Sequence, residues 1–126
     1  MASKPVGWFE IYVQDLKRAQ AFYEAVFVFK LEKLDTPDPS MELIAFPGPM
    51  DDSHGCSGAL VKMDGGPSGG NSVIIYFMCQ DCAVEASRVV AAGGQVAKPK
   101  FAIGKYGFAA LVTDTEGNTI GLHSMQ

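Results

Sequence analysis

The sequence predicts an α+β domain made of two βαβββ modules in tandem. Three observations support this prediction. The apolar pattern in each half indicates a strand, a helix and three further strands, and a glycine-rich connector separates the halves. Matching residues also recur at a fixed spacing, since Gln14 and Asp15 return as Gln80 and Asp81, a shift of 80 − 14 = 66. A duplicated unit in constant register is a stronger indication of fold than any single strand.

The first module covers residues 6–63. It opens with an aromatic and β-branched segment typical of a strand, followed by Asp15, whose carboxylate can cap a helix. Leu16, Ala19 and Tyr23 then recur at helical spacing. The predicted elements are a strand at 6–13, a helix at 16–27, and strands at 29–34, 41–46 and 57–63.

The second module covers residues 72–125, and residues 64–71 form the connector. Its predicted helix ends before Gly93 and Gly94, because glycine commonly follows the last helical turn. The predicted elements are a strand at 72–79, a helix at 82–92, and strands at 95–99, 107–113 and 118–124. Residues 1–126 are therefore expected to form a single domain.

Composition narrows the function classes. The chain has 126 residues, a net charge of −4 and no cluster of basic residues, so neither nucleic acid nor a membrane surface is an expected partner. Neither a signal peptide nor a membrane span is expected, because the first residues form no apolar segment and the longest apolar run, residues 73–79, is short. The chain has three cysteines, a small and odd number that does not suit a disulfide framework. This number fits a reducing compartment, so a cytoplasmic location is expected.

Two segments carry a resemblance to a known family. Residues 13–23 lead from the first strand into the helix and end in Phe-Tyr, and residues 111–118 form a turn ending in Asp-Thr-Glu-Gly-Asn. Both resemble the vicinal-oxygen-chelate superfamily, which includes glyoxalase I, extradiol dioxygenases, and fosfomycin and bleomycin resistance proteins. Thr115 and Glu116 depart from its usual turn, and Val28 stands where a glycine is usual. The resemblance implies a curved mixed sheet around a cavity, and a homodimer.

The resemblance also locates the positions at which metal-dependent members carry His, Gln or Glu. Here they hold Trp8, Gly58, Ile74 and Gly121, with Gly58 placed by the internal repeat at a shift of 121 − 58 = 63. None of these side chains offers an oxygen, imidazole or thiolate to a cation. We therefore expect no metal, and a divalent ion as cofactor is disfavoured. Glu10 and His123 alone would supply too few ligands.

Strand alternation assigns one set of side chains to the helices and the other to the implied cavity. Glu10 and His123 each lie two residues after a position that binds metal in metal-dependent members, and they are the predicted acid–base pair. An equal alternative is a purely structural ion pair, of the two with each other or with Lys62. The residues predicted to line the ligand are Trp8, Tyr12, Gly58, Leu60, Ile74, Tyr76, Met78 and Gly121.

Other candidate residues are weaker. Cys79 and Cys82 have CxxC spacing at the entry to a helix, but Cys79 falls on the helix side of its strand and is interpreted as a core thiol. His54 is expected to be solvated in a loop. Lys105 is an exposed lysine that could meet an anion. The glycine-rich connector leads into a strand, so it is interpreted as a linker and not as a phosphate loop.

Three functional hypotheses follow. The first is a metal-independent protein that binds a small organic molecule in an aromatic-lined cavity. The second is a lyase or isomerase of the glyoxalase I type, acting on a small carbonyl compound or thiol adduct with Glu10 and His123 as base and acid. The third is a sensor or partner domain whose cavity tunes an interaction.

Overall fold

A computed structural model describes residues 5–48 and 55–126 and contains two four-stranded sheets, each carrying one helix. The first module comprises β1 (Trp8–Tyr12), α1 (Leu16–Phe27), β2 (Glu32–Leu34), β3 (Met41–Ala45) and β4 (Ser57–Met63). The second comprises β5 (Tyr76–Met78), α2 (Cys82–Arg88), β6 (Gln95–Ala102), a 3₁₀ turn (Gly104–Tyr106), β7 (Phe108–Thr113) and β8 (Thr119–Ser124).

Both sheets have the same topology. The strand orders are β1-β4-β3-β2 and β5-β8-β7-β6, so the first strand of each module lies at a sheet edge. It pairs in parallel with the last strand of its module, and the remaining pairs are antiparallel. The structure thereby confirms the predicted pair of βαβββ modules. Among the described residues, no helix is long and apolar enough to cross a membrane.

The two modules share one core on the helix side of their sheets. Fully buried residues of α1, including Phe22, Tyr23 and Val26, belong to the same apolar cluster as Val112 and Leu122 of the second module. Six rings, here called the aromatic cluster, join the modules with centroid separations of 4.7 to 6.2 Å. They are Phe9, Tyr23, Phe27, Phe29, Phe46 and Phe77.

A carboxylate from the second module fastens the N-terminus of α1. Glu116 Oε1 accepts hydrogen bonds from the backbone N–H groups of Gln14 (2.9 Å) and Asp15 (3.0 Å). Arg18 donates to both of its oxygens at 2.7 and 2.9 Å, and the Thr115 hydroxyl donates at 2.8 Å. Of the two residues by which this turn departs from the superfamily pattern, Glu116 therefore forms a contact between the modules and Thr115 donates a hydrogen bond to Glu116.

The connector is bound to both modules, which is more than the predicted linker role requires. Gln14 Nε2 donates to the Gly66 carbonyl at 2.8 Å, and the Gly69 N–H donates to Asn118 Oδ1 at 2.6 Å. Asn118 Nδ2 in turn donates to the Tyr12 carbonyl at 3.0 Å. These bonds satisfy backbone groups that would otherwise lie open between the sheets.

Several element boundaries differ from the prediction. Strand β5 spans three residues instead of eight, and α2 ends at Arg88, after which residues 89–93 form turns. Strand β6 continues through Pro99 to Ala102, with register shifts on either side of Lys98. Because β6 is an edge strand with irregular pairing, proline is tolerated there.

Val28 ends α1 in the left-handed conformation, with φ 57° and ψ 51°, and its N–H donates to the Glu24 carbonyl. A β-branched residue is strained in this region, whereas glycine is not. The Val28 side chain is 71% exposed, so little packing would be lost on its removal. We expect Val28→Gly to raise the free energy of unfolding by about 1 kcal/mol in urea denaturation.

The matched control is Val84→Gly, which removes another exposed valine, this one inside α2. Glycine should destabilise the helix relative to valine by roughly 0.5 kcal/mol, so the two changes should have opposite signs. A destabilising effect of Val28→Gly would contradict the proposed strain.

Candidate functional site

The sheet surfaces that point away from the helices carry the predicted site residues. We call them open face 1, on the first sheet, and open face 2, on the second. Side chains opposite each other in a register share a face, so the pairs of β1 with β4 and of β5 with β8 decide which residues belong to each. The core residues Ile11 and Leu122 mark the opposite, helix-covered sides.

Open face 1 presents Trp8, Glu10 and Tyr12 from β1, as predicted. The Tyr12 hydroxyl donates to Glu10 Oε1 at 2.7 Å, and Trp8 Nε1 donates to Glu10 Oε2 at 3.2 Å. We call these three residues the Glu10 triad. The hydrogen bond to Glu10, burial and the carboxylate charge together raise the pKa of Tyr12, so the phenol stays protonated and donating at neutral pH.

The face assignment of β4 was wrong. Gly58 lies opposite Phe9 and Leu60 opposite Ile11, so both belong to the helix side, where Leu60 is fully buried in the core. A Cβ on Gly58 would collide with the Phe9 ring. Every residue from Gly58 to Val61 is buried, so this strand has no alternation of apolar and polar residues that could distinguish its two faces. The predicted register was wrong by one residue, which exchanges the two faces.

Open face 2 contains the other predicted residues. Tyr76 pairs with Gly121 and Met78 with His123, and the Tyr76 ring lies against Gly121, where any Cβ would collide with it. Tyr76, Met78 and His123, together with residues of β6, of β7 and of the segment between them, line a cavity of about 400 Å³. Tyr76 and Met78 are 50% and 76% exposed, and Ile74 is also exposed nearby. The cavity is lined by Tyr76, Met78, Phe101, Ile103, Ala109 and His123.

Phe101, Ile103 and Ala109 were not predicted for this face. The predicted β6 ended at Pro99, so Phe101 and Ile103 were not assigned to a strand, and the strand predicted at 107–113, which contains Ala109, was given no face. Phe101 carries Lys98 Nζ 4.0 Å from its ring centroid, which places a cation at the edge of the open face. The apolar residues Phe101 and Ile103 stand two positions apart, and this spacing could have indicated that both lie on one face of an extended segment.

The structure does not bring Glu10 and His123 together. Glu10 lines a cleft of about 270 Å³ formed with the connector, whereas His123 lines the cavity on open face 2. His123 Nε2 lies 2.7 Å from the Tyr106 carbonyl oxygen, which can only accept, so this nitrogen carries the proton. Lys62 lies on the helix side of β4, opposite Glu42. The predicted structural pairing of Glu10 with His123 or Lys62 is therefore wrong.

The donor set does not fit a divalent metal. Glu10 and Tyr76 are equivalent positions of the two modules. Glu10 pairs with Ala59 on β4 and Tyr76 pairs with Gly121 on β8, so the β4 counterpart of Gly121 is Ala59 and not Gly58. Alanine offers no ligand either. Ile74 is aliphatic, and the Trp8 indole only donates. Within residues 5–48 and 55–126, no three His, Cys, Asp or Glu side chains are grouped to hold an ion.

The weaker candidates are placed as follows. Cys82 is fully buried in the core and the half-buried Cys79 packs against it, in agreement with their interpretation as core thiols. Burial and the neighbouring Glu85 carboxylate raise the pKa of Cys79 to about 12. Lys105 lies in the 3₁₀ turn, with its Nζ 5.4 Å from the Tyr106 ring centroid. His54 lies outside the described residues.

Comparison with known proteins agrees with this architecture. Residues 6–41 match the family model described as bleomycin resistance protein-like N-terminal. An antibiotic-binding protein from a Streptomyces species is 26% identical, with a TM-score of 0.70 over 98% of both chains. No protein with curated function matches the sequence.

Two further solved structures share the fold. A superfamily member from Sphaerobacter thermophilus is 23% identical, with a TM-score of 0.70, and the match covers 96% of this chain and 97% of that one. Glyoxalase I from Zea mays is 22% identical, with a TM-score of 0.75 over 98% of this chain, which spans 47% of the maize chain. The paired βαβββ modules of this chain and these similarities show that it has the glyoxalase/bleomycin resistance protein/dioxygenase fold.

Proposed function

We propose that this protein binds a small, flat organic molecule without a metal, and that open face 1 of one copy and open face 2 of a second copy enclose the ligand. The observation that carries the proposal is the division of the polar and aromatic groups between two separate sheet faces. Each face has half of a binding site, and neither half is covered by the other within one chain.

The chemistry of the halves is complementary. Open face 2 offers apolar surface, the exposed Tyr76 ring for stacking and, because His123 Nε2 already donates to the Tyr106 carbonyl, His123 Nδ1 as a hydrogen-bond acceptor. Open face 1 offers the Glu10 triad, in which the carboxylate can accept a hydrogen bond from a ligand and is oriented by hydrogen bonds from Trp8 and Tyr12. A planar ligand with a hydrogen-bond donor at one edge suits this combination. The fold shared with an antibiotic-binding protein supports binding without turnover.

Exposed apolar surface supports the second copy. Met78 and Tyr76 are large, exposed side chains on a single face, and such patches commonly mark interaction sites. In an isologous dimer, open face 1 of each copy would lie against open face 2 of the other, which gives two equivalent sites. We therefore propose a homodimer with one ligand site at each junction.

The ligand site can be tested with Tyr76→Ala, which removes the stacking ring from the cavity wall. The only tryptophan, Trp8, supplies a single indole N–H resonance on open face 1, so ligands found in a screen of planar compounds can be titrated by NMR. Tyr76→Ala should weaken binding by about tenfold, which corresponds to roughly 1.4 kcal/mol. Tyr106→Ala is the control, because Tyr106 is also an exposed tyrosine, at 64% against 50% for Tyr76, and does not line the cavity.

Mixing two defective chains tests whether the site spans two copies. If it does, a dimer of one Trp8→Ala chain and one Tyr76→Ala chain regains one intact site, and random mixing restores about a quarter of the native sites. A site within one chain would gain nothing from mixing, and sedimentation as a monomer would equally refute the proposal. Turnover of a carbonyl or thiol-adduct substrate that is abolished by Glu10→Gln would instead favour a lyase.

A further inference from the structure

A second cavity, of about 440 Å³, opens at the junction of the two modules, beside the edges of β1 and β5. Four rings of the aromatic cluster line it, so it reaches the helix side of the sheets, and around the edge of β5 it borders open face 2. These four are Phe9, Phe29, Phe46 and Phe77. The other described lining residues are Val6, Pro47, Gly55, Cys56, Ile74, Ile75, Tyr76 and Met78, and none of them is charged.

Glycine at position 58 helps to form this cavity. Because Gly58 has no Cβ, the Phe9 ring can lie directly against β4. Phe9 meets Phe46 at 5.6 Å with a tilt of 38° and Phe77 at 6.2 Å with an angle of 89°. The walls therefore present both ring faces and ring edges, the two geometries in which aromatic groups attract one another.

The size and polarity of the cavity define what it can hold. Its volume lies in the range typical of small-molecule sites, about 300 to 1,000 Å³. An ionised ligand would lose hydration without gaining a charged partner from the described lining, which disfavours it. The Cys56 sulfur adds a polarisable group at the wall.

We infer that this junction cavity is a separate binding site for a neutral aromatic molecule of two or three fused rings. Such a molecule places its faces and edges against the four phenylalanines and excludes water from them. Tyr76 and Met78 border both this cavity and open face 2, so the two sites are neighbours with one shared wall. Trp8 and Cys56 lie away from that wall and report on open face 1 and on the junction cavity respectively.

Cysteine labelling measures occupancy of the junction cavity. Cys56 is the reactive thiol among the three, because Cys82 is fully buried and the high pKa of Cys79 leaves it protonated at pH 8. Saturating 2-naphthol should slow iodoacetamide labelling of Cys56 at least tenfold, as read by mass spectrometry. The anionic analogue 2-naphthoate should give no protection. The Trp8 indole resonance should stay in place during the 2-naphthol titration.

A variant that fills the cavity provides the second measurement. Val6 is 57% exposed at the rim, so Val6→Phe should reduce the free volume without disturbing the core. Calorimetry should show 2-naphthol binding weakened at least tenfold by Val6→Phe and unchanged by Val90→Phe, a control on a 68% exposed valine outside the cavity lining.

Absence of 2-naphthol binding, equal affinity of the native and Val6→Phe proteins, or equal protection by 2-naphthoate would each overturn the junction site. A shift of the Trp8 resonance with no effect of Val6→Phe would place the ligand on the open faces. That outcome would overturn this inference while leaving the proposed function intact.

Discussion

Glu116→Gln is expected to lower the free energy of unfolding by about 3 kcal/mol, because it disrupts a buried carboxylate that joins the modules. Oε1 accepts from two backbone N–H groups and from Arg18, and Oε2 accepts from Arg18 and Thr115. A glutamine amide must turn its NH₂ group toward one of these sets of donors. At least two hydrogen bonds are then lost in a site where the glutamate side chain has no solvent exposure.

The same residue predicts a dependence on pH. Burial alone would raise the pKa of Glu116, but the hydrogen bonds from Arg18, Thr115, Gln14 and Asp15 outweigh it and hold the pKa at about 2, below the ordinary 4.5. A depressed folded-state pKa contributes stability that is complete above pH 4.5 and is lost as the pH falls toward 2. The stability difference between native protein and Glu116→Gln should therefore shrink across that window.

Urea denaturation at several pH values measures both effects. Glu32→Gln, an exposed glutamate on β2, is the matched control and should change stability by less than about 0.5 kcal/mol. A pH-independent difference between native protein and Glu116→Gln would show that the carboxylate charge is not what fastens α1.

Gly94→Ala is expected to cost about 3 to 5 kcal/mol, or to prevent folding, since no space exists for a methyl group there. A Cβ would overlap the backbone carbonyl oxygen of Thr113 on β7 and lie 2.6 Å from Phe22 Cε1 of α1. Relief would require β7 or α1 to move, and both belong to the shared core. Thermal and urea unfolding should show the loss directly.

Gly7→Ala is the control for this substitution, because a Cβ at Gly7 meets no atom within 4 Å. It should change the free energy of unfolding by less than about 0.5 kcal/mol. If Gly94→Ala were equally mild, the close approach of the turn after α2 to β7 would be contradicted.

Local chemistry explains which elements the sequence could predict. Helix α1 begins and ends as expected, because the Asp15 carboxylate accepts from the Arg18 N–H and the apolar face keeps helical spacing. The faces of β1 and β5 were assigned correctly, since each strand lies at an edge of its sheet and keeps one side accessible. In both cases the signal lies within a few residues of the element it predicts.

The errors have a common physical origin in distant contacts. Strand β4 lies inside its sheet and is buried on both sides, so alternation carried no information about faces. Glu116 is separated from its partners Gln14, Asp15 and Arg18 by about 100 positions, and nothing near it in sequence indicates them. The junction cavity likewise depends on rings from both modules, whose convergence no local pattern could reveal.

The shared core has a consequence for how the chain behaves when divided. Tyr23, from the first module, donates its hydroxyl proton to Asp114 of the second at 2.7 Å, inside the same interior that holds the aromatic rings. A fragment with only one module would expose half of this interior and leave buried polar groups unpaired. Despite their common architecture, the duplicated halves are therefore expected to fold as one cooperative unit, and fragments cut at the connector to regain structure only by complementing each other.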